Sequence, residues 1–202
     1  MRRIFLLAVL ALAVPLSAFA GSVDFSNSGG TLVGTDMGLS LTGSELIAIN
    51  GFNGGGMITG GLGGVSFSTG ALTSGSMQMG GAFAAGGSFT ITSNGSFGLP
   101  SGALFTGSFT GPVTWTMVTL ANGTHEYTLQ GAISGTWYNG ATVYGASIQL
   151  TIHTGKGFFN GRTRISSGDT NVVVVPEPGT LGLLGTGLIG LAGVLHRKLK
   201  VT

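Results

Sequence analysis

Between residues 21 and 175 the apolar positions do not recur with a 3.6-residue period. Short runs alternate apolar and polar residues instead, and glycine interrupts them. Alternation at period two is the signature of half-buried strands, so the pattern predicts an all-β domain. Candidate strands cover residues 23–26, 37–42, 45–50, 64–69, 88–93, 113–120, 124–133, 141–154 and 162–166. A Gly-Ser-Phe triplet recurs at Gly87, Gly95 and Gly107. Its unequal spacing suggests similar sheet layers rather than a true repeat.

The second half carries enough pattern to set register. Val113, Trp115 and Met117 share one strand face, and Tyr127, Leu129 and Ile133 share one face of the next. A two-residue Asn122-Gly123 turn would pair Met117 with Thr128 and split those sets between opposite faces. A three-residue loop, Ala121-Asn122-Gly123, with Gly123 left-handed, pairs Met117 with Tyr127 and Trp115 with Leu129. Burial favours the three-residue loop. In the following strand Val143 is odd, whereas Ile148, Leu150 and Ile152 are even, which predicts a bulge near Gly145-Ala146. Leu129 then faces Leu150, and Tyr127 faces Ile152. The resulting meander has Thr114, Thr116, Thr128, Gln130, Gln149 and Thr151 on its polar side. A sheet with one apolar face needs a covering layer, and the glycine-rich first half supplies one. The expected fold is a glycine-rich antiparallel β-sandwich, with a β-roll or solenoid as the alternative.

The two ends follow different rules. Arg2 and Arg3 precede an apolar run over 4–14, and Ala18 and Ala20 stand at −3 and −1 of an A-x-A site. This is the pattern of a secretory signal helix over 1–20, cleaved after Ala20 by signal peptidase following general secretory export. At the other end Pro176-Glu177-Pro178 holds the chain extended. An uncharged stretch over 180–195 follows, long enough as a helix for about 24 Å, a short transmembrane segment. Gly182, Thr186 and Gly190 give it a small-residue face. The basic run over 196–200 then fits the cytoplasmic side.

This tripartite tail, over residues 174–200, resembles the PEP-CTERM sorting signal of Gram-negative bacteria, also catalogued as an ice-binding protein C-terminal domain. The resemblance implies an exosortase, a membrane protease-transpeptidase acting near Pro176, Glu177 and Pro178, as partner. It also implies transient residence in the inner membrane, then a cell-surface or extracellular destination beside exopolysaccharide. The domains expected are a signal peptide over 1–20, a β passenger over 21–175 and a sorting signal over 176–202.

Composition changes one inference. The chain has a net charge of +2 and a pI of about 9.3, but five of its eight cations lie in the two end segments. The passenger sets Lys156, Arg162 and Arg164 against Asp24, Asp36, Glu45, Glu126 and Asp169. It is weakly acidic, which removes the support for a nucleic-acid partner. With no cysteine in the chain, disulfides and thiolate chemistry are excluded.

Candidate chemistry is sparse. The predicted register places Glu126 opposite His153 on the polar face, the best acid/base pair available, yet such a pair is ordinarily a solvated cross-strand contact. His125 reads as a surface histidine beside the Asn-Gly turn. A zinc site would need His125, His153 and a carboxylate to converge, and no Gly-x-Ser-x-Gly elbow nominates a serine nucleophile. Gly54-Gly55-Gly56 and the run Gly60-Gly61-Leu62-Gly63-Gly64 lack the residues of calcium or phosphate loops and read as turning loops. The sequence therefore predicts no cofactor, no metal and no catalytic residue. Trp137, Tyr138 and Tyr144 surround the Asn139-Gly140 turn and form the candidate ligand face for a carbohydrate; the competing reading is that they cap one end of the core. The expected function is an exported surface or matrix protein with a non-catalytic β-domain, ahead of an exopolysaccharide-binding module and of a periplasmic hydrolase.

Overall fold

A computed structural model describes residues 21–174, which form one compact unit. The predicted signal helix and transmembrane segment lie outside the described residues. Within them no helix is long and apolar enough to cross a membrane. The first strands are β1 (Gly21–Ser28), β2 (Thr31–Thr35), β3 (Gly38–Asn50), β4 (Ile58–Ser68), β5 (Leu72–Ser76), β6 (Gly80–Phe83) and β7 (Gly86–Asn94). The remainder are β8 (Ser101–Phe109), β9 (Val113–Thr119), β10 (His125–Trp137), β11 (Thr142–Gly155), β12 (Arg162–Arg164) and β13 (Ser167–Val174). The only other regular pieces described are 3-10 turns at Phe52–Gly54 and Ser96–Gly98.

The pairing order β11-β13-β1-β3-β4-β7-β8-β10 returns to β11, so eight antiparallel strands close into a barrel. This corrects the expected sandwich, and the roll or solenoid with it. A sandwich needs two sheets with free edges, whereas β13 here joins β1 (Val23 to Val172) and also β11 (Gln149 to Asp169). The remaining strands lie outside the ring. β10 pairs β8 through Ile133–Trp137 and β9 through residues 125–130, and β9 leads outward to β6 and β5. β2 pairs β3, and β12 pairs β2.

The barrel interior is filled. Phe25, Leu46, Ile49, Val65, Phe89, Ile91, Phe105, Ile133, Ile148 and Leu150 are all buried. Phe67, Phe89 and Phe109 pack ring to ring at centroid distances of 5.8–6.2 Å. Facing outward are mostly Ser, Thr and Gly, with a few Gln, Asn and acidic residues. That polarity is the reverse of a lipid-embedded barrel, which turns an apolar band outward. The apolar face predicted for each strand is thus real, but the sheet covers it by curling on itself rather than by stacking a second sheet.

The predicted hairpin holds in detail. Met117 pairs Tyr127 and Trp115 pairs Leu129. The Leu120 amide donates to the Thr124 carbonyl (2.8 Å), and Gly123 takes φ +78° inside the three-residue loop. The bulge appears where Ile133 pairs Ala146 but Gly135 pairs Val143. Leu129 meets Leu150 and Tyr127 meets Ile152 across the same ladder. Other expectations change: Gly60–Gly64 belongs to strand β4 rather than a loop. His125 is buried at the start of β10, its ring stacked on Phe158 at 4.4 Å, with Nδ1 3.1 Å from the Thr119 hydroxyl.

Candidate functional site

The alternation that fills the barrel also builds an ordered polar surface outside it. Across β10, β11, β13 and β1, each of Gln130, Gln149, Asp169 and Ser26 stands directly opposite the next. A second, parallel row is Ala132, Ser147, Asn171 and Asp24. Neighbouring strands lie about 4.8 Å apart, so these rows form a regular polar grid. The small side chains of Ala132 and Ser147 leave a groove there of about 640 Å³. Ser26 Oγ donates to Asp169 Oδ1 at 2.8 Å, and Asn171 Nδ2 donates to Asp24 Oδ1. Gln130 Nε2 donates to Gln149 Oε1 at 3.3 Å.

One oxygen of each carboxylate is thereby held. With two carboxylates and no cation among the groove-lining residues, the rows disfavour an anionic ligand. The alternation in sequence puts Gln130 and Gln149 on this face. It does not reveal the contribution of Asp24, Asp169 and Asn171, because that depends on β13 closing the barrel.

The sequence-predicted residues fall elsewhere. Glu126 does face His153, with Nδ1 3.3 Å from Oε2, on the outer face of β10 and β11. The His153 side chain is about half exposed (54%) and that of Glu126 a third (33%). His125 and His153 do not converge with a carboxylate, and no group of three metal-ligating side chains occurs among the described residues.

Trp137 is buried (4%), its ring 5.9 Å from Phe25 and 5.7 Å from Phe52. Tyr138 stacks on Phe52 at 5.4 Å and its hydroxyl meets Asn53 at 3.2 Å. These rings plug the barrel mouth, with Trp137 and Tyr138 inclined at 59° to each other rather than coplanar. Tyr144 stands apart on the bulge, 80% exposed.

Pro176, Glu177, Pro178, Ala18 and Ala20 lie outside the described residues. The tail segment is nevertheless identified by comparison: a family model, the PEP-CTERM protein-sorting motif, matches residues 174–198. The chain carries a PEP-CTERM sorting motif. The motif implies exosortase as a processing partner and export through a membrane-anchored precursor. No curated protein and no solved structure matches the chain. The matched segment begins at the last residue of β13, the strand that closes the barrel.

Proposed function

We propose that this PEP-CTERM protein delivers a non-catalytic β-barrel to the cell surface or the extracellular matrix. The observation that carries the reading is the junction at Val174, where a sorting motif starts as the barrel ends. The interior supports it, since buried phenylalanine, leucine and isoleucine side chains occupy the barrel core as in other small barrels filled by side chains. The solvated position of Glu126 and His153 supports it too. An acid/base pair needs a substrate-binding site around it, and this pair sits on an outer sheet face. Substituting Pro176 and Glu177 by alanine should leave the precursor in the membrane fraction, whereas the unaltered chain appears at the surface. Surface display of that variant at the unaltered level would refute the reading.

The groove favours a second reading, in which the barrel holds exopolysaccharide through Asp24, Asp169, Asn171, Gln130 and Gln149 rather than through an aromatic strip. A D24A/D169A variant should then elute earlier from immobilised exopolysaccharide, while Tyr138→Ala elutes unchanged. Equal retention of D24A/D169A and the parent would count against it.

A further inference from the structure

The eight barrel strands divide their connections unequally between the two ends. At one end the links are the short turns over 51–57, 95–100 and 138–141. The other end carries β2, the β5–β6 hairpin, β9 and β12. Gly21 pairs Val174 at the short-turn end, so the barrel chain enters and leaves there. The charged residues of the connections and outlying strands are all at the far end: Asp36, Lys156, Arg162 and Arg164. The three short turns, Gly21–Val23, the first residues of β11 and the last of β13 hold no charged side chain; the nearest is Asp24, opposite Asn50 at the end of β3.

That end exposes large apolar side chains without the cations that accompany those of the far end, such as Met37, Met79 and Phe158. Met57 is 68% exposed and Phe97 67%, with Tyr138 in the 138–141 turn and Tyr144 on the bulge that follows it. Phe97 reaches over Gly60, where an added Cβ would lie 3.5 Å from its ring. It does so with a left-handed backbone (φ +58°), an uncommon conformation for a non-glycine residue. Aromatic side chains with an apolar body, tyrosine especially, concentrate where protein meets the lipid headgroup layer. Methionine adds an adaptable apolar contact.

We infer that this charge-poor end is a membrane-contact rim, on which the barrel rests against the lipid interface while the precursor is anchored. The inference builds on the membrane-anchored precursor implied by the sorting motif. Chain length supplies the argument for lipid as the occupant. Only the five residues 175–179 separate Val174 from the apolar run that begins at Thr180, and an extended chain of that length spans at most roughly 20 Å. So short a connection bounds the distance that can separate Val174 from that run. Removal of the leader after Ala20 would add one charge there, the Gly21 ammonium, which suits lipid phosphates.

Because the chain has no cysteine, single cysteines can report on this contact in the full chain. Phe97→Cys and Met57→Cys label the rim, and Met37→Cys and Met79→Cys, also exposed, label the far half. Each carries an environment-sensitive dye, in phosphatidylcholine vesicles containing headgroup-region spin-labelled lipid and no exosortase. The rim labels should emit at shorter wavelength and lose most of their intensity to the lipid quencher, while those at 37 and 79 do neither. Adding Y138D and Y144D should return the label at 57 towards its aqueous emission. Rim labels as solvent-exposed as those at 37 would overturn the inference. So would rim labels that are shielded yet unquenched by lipid, since that outcome means a protein contact. Without exosortase in the vesicles, the result stands apart from whether the tail is ever processed.

Discussion

Gly135 shows how closely this barrel depends on the absence of single side chains. It pairs Gly107 across β8 and β10. A Cβ on Gly135 would stand 2.0 Å from the Thr106 carbonyl oxygen and 2.5 Å from the Gly107 Cα. Those backbone atoms cannot turn aside as a side chain can. Gly135→Ala should therefore push β8 away from β10 and cost about 1–3 kcal/mol, read as a lower denaturant midpoint of unfolding. Tyr127 makes the complementary case. Its buried hydroxyl donates to the Gln78 carbonyl at 2.7 Å and accepts from the Phe159 amide at 3.0 Å. Two excursions from the ring are pinned by that one oxygen. Tyr127→Phe keeps the ring stacked on Trp115 but orphans a buried amide, and should cost about 1–3 kcal/mol in the same measurement. Glu126→Gln belongs at the other extreme. The contact is a solvated surface pair, so its loss should change stability by less than about 1 kcal/mol.

At the scale of elements, the hairpin β9–β10 was legible because burial and turn chemistry agree. Trp115, Met117, Tyr127 and Leu129 share a face only with the three-residue loop, and Gly123 supplies the left-handed residue that this loop requires. Gly123→Ala should cost about 1–2 kcal/mol. Deleting Ala121 is the stronger intervention, because a two-residue turn would send Trp115 and Tyr127 to opposite sides. Near-ultraviolet circular dichroism should then lose the signal of their stacked pair.

Other elements were not legible. In strand β8, Ser101–Phe109, glycines and serines interrupt the alternation, and its register rests on the long-range Gly107–Gly135 approach. The valines of β13 invite reading with the apolar tail, since Val172, Val173 and Val174 precede it directly. Nothing local says that they pair Val23, Ser22 and Gly21, almost the whole domain away in sequence.

That one strand decides the architecture of the whole molecule. Without β13 the alternating faces need a second layer and a sandwich follows. With it β1 and β11 are bridged, the sheet closes, and the apolar face becomes an interior. The same closure brings Asp24, Asp169 and Asn171 beside Gln130 and Gln149, which is why the groove could be read only incompletely from the sequence. The tail, by contrast, was legible as it stood, because its prolines, apolar run and basic end are contiguous.

The central claim is that exosortase sorts this barrel by the segment that follows it. It is tested most directly by intact-mass measurement on the membrane and surface-released fractions of cells with and without exosortase. The account predicts a surface species lacking residues 181–195 when the enzyme is present, and only the longer membrane-bound species when it is absent. A surface-released protein that still carries residues 181–195 in cells with active exosortase would contradict it.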